Sequence, residues 1–168
     1  ELLVAESAKG GLLDLDEREL LSNAFHIADI RAADVMVPRT HLTAAPIEAS
    51  LPAVLALAAR EGYSRIPLYR GSIDAIVGIV HIRDLYRLYV AGQHDVEPVL
   101  RTVPFVPESL SAVEVWNQLR QTGSYVAIVF DEHGGTAGMI TMEDLIAEIF
   151  GHVEDEFDAE PLSLTAGI

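Results

Sequence analysis

Two short segments place an aspartate three residues after a hydroxyl or an imidazole: Thr141-Met142-Glu143-Asp144 and His81-Ile82-Arg83-Asp84. Each follows a strand-like run and opens a helical one. A carboxylate accepts hydrogen bonds from two vicinal hydroxyls, so Asp144 suits a ribose, with Thr141 aimed at the same sugar or at a phosphate. Helix N-termini also attract phosphate. The plainer alternative is local: Thr141 caps the helix and Asp144 favours its positive end. A third segment, Tyr63-Ser64-Arg65-Ile66-Pro67, suits a base. Pro67 lacks an N–H and belongs on an edge strand or at a bulge. Backbone groups left free beside it can bond an adenine edge while Tyr63 and Ile66 cover its faces. Arg65 offers phosphates a positive charge, and its alternative role is a surface ion pair.

Other chemistry finds little support. The six histidines are dispersed and read as ordinary surface or partly buried side chains, whereas a zinc site needs three or four convergent ligands. The absence of cysteine excludes a disulfide framework and a thiolate nucleophile, and fits a reducing compartment. No nucleophile elbow, dinucleotide fingerprint or P-loop occurs, so the chain is not expected to be an enzyme and no catalytic residue is assigned. The run Glu154-Asp155-Glu156-Phe157-Asp158 could draw in a hard cation such as Mg²⁺. It lacks the glycine and terminal glutamate of an EF-hand loop and reads as a solvated acidic linker, so no metal site is assigned.

The charge balance narrows the partners. The 168 residues are 50% hydrophobic and 22% charged, a globular composition close to one ordinary domain. Lys+Arg is 11 against Asp+Glu 26, for a net charge of -15, and Lys9 is the sole lysine. No nucleic-acid partner is expected, because that would require a basic stripe. Docking of this portion on an anionic membrane is equally disfavoured. The longest apolar runs, residues 53–59 and 125–130, fall far short of the ~20 residues that span a bilayer. The chain starts at Glu1 with no signal peptide in view, and reads as a piece of a longer protein, with room for any membrane segment outside it. Such an acidic chain should repel ATP, with its about four negative charges, and Arg65 alone does not offset them. ATP binding is therefore expected to depend on Mg²⁺ and AMP binding much less. Arg39 and Arg120 are the first candidates for a second basic residue.

The elements that must position these groups come in two copies. Pro46 and Pro107, Ser50 and Ser111, and Gly62 and Gly123 share an offset of 61 residues, which falls to 60 after the intervening turn. Each copy reads strand, helix, strand, strand, helix. Ser50 and Ser111 stand at N-caps, Glu114 has capping-box spacing from Ser111, and the two glycines end their helices. Val54, Leu55, Leu57 and Ala58 form one apolar helix face, and Val115, Trp116 and Leu119 the matching one. Neither copy has a comfortable core alone at roughly 60 residues. Two copies packed face to face would share one core about an approximate twofold axis, with two related clefts.

The fold class is thus α+β, a tandem repeat with an N-terminal lead-in helix. Residues 1–30 form a linker and that helix, which runs over 12–30 from a capping box at Asp16-Glu17-Arg18-Glu19. Residues 31–92 form the first repeat, 93–152 the second, and 153–168 an acidic exit linker.

Together these residues resemble a known module. The doubled pattern, with Gly-Tyr-Ser-Arg-Ile-Pro at 62–67 and Gly-Met-Ile-Thr-Met-Glu-Asp at 138–144, resembles a CBS-domain pair (Bateman module). It is similar in particular to the CorC/hemolysin C and CNNM-like family of magnesium and cobalt transport proteins. Val35-Met36-Val37-Pro38-Arg39, the hairpin at 131–138 and the acidic run at 153–158 resemble that family's flanking and turn segments. The resemblance implies a regulatory module that binds ATP or AMP, commonly with Mg²⁺. It implies a homodimer on the cytoplasmic side of the membrane, attached to a membrane transport domain in the same protein. Carried over, the nucleotide site comprises Thr40, Tyr63, Ser64, Arg65, Ile66, Pro67, Thr141 and Asp144. A mirror site around His81, Asp84, Tyr125 and Ala127 departs from the pattern. His81 replaces the hydroxyl residue, and Val126-Ala127-Ile128 lacks the arginine and the proline, so this site is expected to be weak or empty. The dimer face is expected at Leu85, Leu88, Tyr89, Leu145, Ile146 and Ile149. The alternatives are a ligand-free dimerisation scaffold and a Mg²⁺ sensor working through the acidic tail.

Overall fold

The computed structural model describes residues 27–157, with the backbone alone for residue 150 and residues 152–157. Nearly all of the expected lead-in helix, and the chain beyond 157, lie outside the described residues. A short helix α1 (Ala32–Val35) and strand β1 (Val37–Pro38) lead, by a 3-10 turn at Arg39–His41, into the first repeat. That repeat is β2 (Ala45–Pro46), α2 (Leu51–Glu61), β3 (Arg65–Tyr69), β4 (Ile76–His81) and α3 (Ile82–Val90). A 3-10 turn at Glu97–Val99 precedes the second: β5 (Phe105–Pro107), α4 (Ala112–Thr122), β6 (Val126–Phe130), β7 (Thr136–Thr141) and α5 (Met142–Phe157). The backbone of α5 therefore continues into the acidic run.

Local chemistry sets the helix limits. Ser50 Oγ accepts from Ala53 N at 3.4 Å, and Ser111 Oγ accepts from Glu114 N at 3.2 Å. Gly62 and Gly123 end α2 and α4 at φ of 73° and 64°, left-handed values that a side chain resists. The helices bury Val54, Ala58, Val115 and Leu119 against the sheets.

The sheet order is β2-β3-β4 in the first repeat and β1-β7-β6-β5 in the second. In each repeat a parallel pair is followed by an antiparallel one. The two repeats are interleaved by their lead-in segments. β1, which precedes the first repeat, pairs with β7 of the second. Arg101, which precedes the second, bridges Ile79 of the first, with N–O distances of 3.0 and 2.9 Å. Likewise Ala112 N donates to Ile30 O, and Leu51 N donates to His94 O. These crossed contacts explain a glycine at the same place in each copy. A Cβ on Gly78 would lie 2.5 Å from Arg101 O, and one on Gly138 2.3 Å from Val37 O. Both are closer than atoms can pack.

Each repeat buries its own helix–sheet core, completed by the other's lead-in: Val96 joins the first, Ile30 and Ala32 the second. A third cluster, Ile76, Ile79, Val103, Val126, Ile128 and Met139, joins the two sheets. Leu85 and Leu145, placed on the dimer face by periodicity, are instead fully buried in their own repeats. Pro67 also departs from expectation, lying in the middle strand of its sheet. Its partner Ile79 turns its polar groups to Arg101, so the Pro67–Ile79 pair carries no ladder bond and the missing N–H costs nothing there.

Candidate functional site

The β7–α5 corner is held by a reciprocal pair of bonds. Asp144 N donates to Thr141 Oγ1 at 3.0 Å, and Thr141 N donates to Asp144 Oδ2 at 3.1 Å. This is a capping box, so the local role foreseen for both residues is real. It occupies one carboxylate oxygen. Asp144 Oδ1 accepts no bond from a described residue and keeps its capacity for hydroxyl donors.

Arg65 brings the first repeat to this corner. Its Nη1 lies 3.6 Å from Glu143 Oε1, and its guanidinium stands 5.0 Å above the Tyr125 ring. Tyr63 and Ser64, just before β3, are exposed. β2 pairs only with Leu68 and Tyr69, so the Arg65 backbone faces a flank with no strand beside it. Thr40 lies in the 3-10 turn that packs against β7, where its Oγ1 is 3.1 Å from His41 Nδ1. Arg65, through Glu143, thus brings the start of β3, with Tyr63 and Ser64 before it, towards the Thr141–Asp144 corner, and the Thr40 turn packs on the strand that leads to that corner. Ile66 does not offer a side chain to it: Ile66 is 0% exposed in the first repeat's core. Its assignment as a cover for a base is corrected, since its side chain is enclosed and its backbone pairs with Val80 of β4. Ala127, its counterpart in the second copy, is equally buried.

The mirror corner is built differently. His81 Nδ1 accepts from Arg83 N at 3.0 Å and caps α3 by itself. That leaves Asp84 free of capping. Its Oδ2 meets Arg101 Nη2 at 2.5 Å, and its Oδ1 lies 3.9 Å from Arg87. The cleft here holds about 290 Å³ and is lined by Arg65, His81, Arg83, Asp84, Arg87, Arg101 and Tyr125. Four of the chain's ten arginines therefore surround one carboxylate. Burial, then the charges of Arg65 and Arg83, hold the His81 imidazole below its ordinary value, and Asp84 opposes them only in part.

Neither residue named as a second source of charge lines this cleft. Arg39 is ion-paired to Asp74 and reaches Thr136 O at 3.4 Å. Asp74 Oδ1 also accepts from Thr136 N at 3.0 Å. The hydrogen bond to Arg39 holds the Asp74 carboxyl below its usual range, and Arg39 is raised in turn. This pair fastens the hairpins of the two repeats together. Sequence reasoning missed Arg83, Arg87 and Arg101 as a group. The one available signal was that Arg83 stands, at the 60-residue offset, where the second copy has Glu143. Among the described residues no three metal-ligating side chains converge.

A model of the CBS domain matches residues 32–91 and again 95–151. The magnesium and cobalt efflux protein CorC of Pasteurella multocida (strain Pm70) is 33% identical over 162 residues, covering 95% of this chain and 54% of that protein. The chain spans 35–54% of the length of curated relatives it matches. The solved CBS domain of a bacterial CNNM/CorC family Mg²⁺ transporter, in complex with ATP, is 37% identical. It superposes with a TM-score of 0.75 over 81% of this chain and 98% of that one. A CBS-domain pair with bound AMP from Klebsiella pneumoniae is 26% identical, with a TM-score of 0.64 over 73% and 99% of the two chains. Two matched domains over most of the sequence, and a relative matched over nearly its whole length, place this chain in the CBS-domain family, among the CBS-domain pairs of the CNNM/CorC group.

Proposed function

We propose that this chain is a regulatory, non-catalytic module that binds an adenine nucleotide between its two repeats and biases a transport domain in the same protein. The adenosine lies against Tyr63, Ser64 and the β3 backbone, with the ribose on Asp144 and Thr141. The observation that carries this reading is the contact of Arg65 with Glu143, which brings the β3 segment of one repeat to the helix-opening corner of the other. The ATP and AMP found in related CBS structures lend support. The transported species, by relation to CorC, is Mg²⁺ or Co²⁺, and the module lies on the cytoplasmic side of the membrane. Among the described residues no helix is long and apolar enough to cross one.

The module works as a homodimer. An apolar groove of about 300 Å³ lies between α4 and α5, lined by Val113, Trp116, Ile146 and Ile149. Its counterpart on α3 carries the exposed Tyr86, Tyr89 and Val90. A twofold partner would cover both faces. Regulation follows if the nucleotide binds one arrangement of that dimer more tightly than another.

The Thr141–Asp144 capping box favours one other reading, a ligand-free dimerisation scaffold, because it gives both residues a purely structural task. Calorimetric titration of AMP, ADP and ATP, each with Mg²⁺ and with chelator, separates the two. Saturable binding of at least one nucleotide is expected. Absence of heat and of any thermal shift with all three supports the scaffold.

A further inference from the structure

The two clefts of the repeat have diverged in charge. Arg83 and Arg87 stand where the second copy carries Glu143 and Ala147. Arg101 bridges Ile79 where Val37 pairs with Met139 on the other side. At three equivalent positions, then, one cleft has arginine and the other has glutamate, alanine or valine. This occurs in a chain whose net charge is -15, where chance would scatter the few cations among neighbouring acids. Within the cleft the arginines outnumber their partners. Asp84 is shared by Arg101 and Arg87, and Arg83 has no carboxylate within ion-pair distance among the described residues. An anion between the guanidiniums would offset that surplus of positive charge. Burial first, and then the charges of Arg65 and Arg83, keep the His81 imidazole from taking up a proton.

We infer that Arg83, Arg87 and Arg101 form a site for a phosphate chain of two or three phosphates, reached past Arg65 from the adenosine cleft. Guanidiniums arranged around a common space suit an anion with several oxygens, each taking charge-assisted bonds. The cleft does not suit a second adenosine. Val126 and Ile128 replace Arg65 and Pro67, and Asp84 is engaged by Arg101. Arg65 lines this cleft and also touches the Thr141–Asp144 corner through Glu143, so it joins the two. A nucleotide held by its ribose at Asp144 would extend its phosphates across Arg65 into the cluster. That source of the chain rests on the function proposed above, whereas a free polyphosphate would use the same guanidiniums without it. The arginines would also do much of the neutralising otherwise left to Mg²⁺.

The test uses the whole chain and inorganic tripolyphosphate as probe, beside ATP and AMP, with chelator present and ionic strength fixed. The double variant Arg83→Gln/Arg87→Gln is suitable because both side chains are exposed, whereas removing Arg101 would strand Asp84. Tripolyphosphate is expected to bind the native chain, and the variant to bind it about tenfold more weakly or worse, the scale of one lost charge-assisted bond. If the chain comes from a nucleotide, tripolyphosphate competes with ATP, and the variant weakens ATP far more than AMP. If tripolyphosphate binds at the arginines while neither nucleotide does, the nucleotide reading fails and the phosphate site stands. Equal tripolyphosphate affinity in the native chain and a folded variant, or no binding to either, overturns the inference.

Discussion

Replacing Asp144 by asparagine separates a cap from a ligand contact, because the structure gives the carboxylate one oxygen for each. Oδ2 takes the Thr141 N–H at 3.1 Å. An asparagine oxygen can accept that same bond, so the geometry of the corner survives. What folding loses is a negative charge in the first turn of α5, a 16-residue helix, which is worth ~0.3–1 kcal/mol at a partly exposed terminus. What binding loses is larger. The side chain's only remaining acceptor is already engaged by Thr141, and its amide nitrogen donates where a ribose hydroxyl must also donate. Loss of hydrogen bonds to a charged acceptor costs at least ~1.5 kcal/mol, or more than about tenfold in Kd. Calorimetry with AMP, whose single phosphate limits the contribution of the arginine cluster, should register that loss, while urea unfolding shifts by less than ~1 kcal/mol. A folded Asp144→Asn chain that binds AMP with native affinity would remove the ribose role and leave Asp144 as a cap alone.

Gly138→Ala should destabilise the chain by about 2 kcal/mol or more in urea unfolding, since its Cβ meets the Val37 carbonyl and overpacks a closed interface. Gly123→Ala, which meets nothing within 4 Å but sits at φ +64°, should cost only about 1 kcal/mol; the opposite order would discredit the interleaved lead-ins. Ile146→Glu should leave each repeat's core untouched and yield a monomer in sedimentation at micromolar concentration, so a persisting dimer would place the interface elsewhere. His81 takes up a proton less readily in the fold than in the unfolded chain. Stability without ligand should therefore hold above its ordinary value of 6.5 and decline as pH falls below it. Polyphosphate should oppose that decline, because an anion beside Arg65, Arg83 and Arg101 favours the charged imidazole. Urea unfolding across this pH range, with and without tripolyphosphate and in native and His81→Asn chains, checks the sign.

Much of the architecture was legible in the residues because it is encoded locally. Ser50, Ser111, Gly62 and Gly123 fix helix ends through bonds and dihedral angles that span only a few residues. The 61-residue offset doubles every such signal, so two copies of strand, helix, strand, strand, helix follow without any knowledge of packing. The hydroxyl–aspartate spacing at Thr141 and Asp144 was equally plain, since both partners belong to one helix turn. The tertiary structure decided what depends on contacts between distant segments. Periodicity places Leu85 and Leu145 on an apolar stripe, yet which part of the stripe meets the sheet and which meets a partner depends on how the helix is rolled. Pro67 reads as an edge residue until Ile79 is seen to spend its polar groups on Arg101, 22 residues further along. The need for glycine at 78 and 138 arises from carbonyls of lead-in segments belonging to the other repeat. Arg65, Arg83 and Arg101 have no common spacing, and only the crossing of those lead-ins places them around one cleft. Local bonds and dihedral preferences act within a turn or two of the chain and leave a pattern in the sequence; the electrostatic field of a cleft sums over whatever the fold brings near, and leaves none.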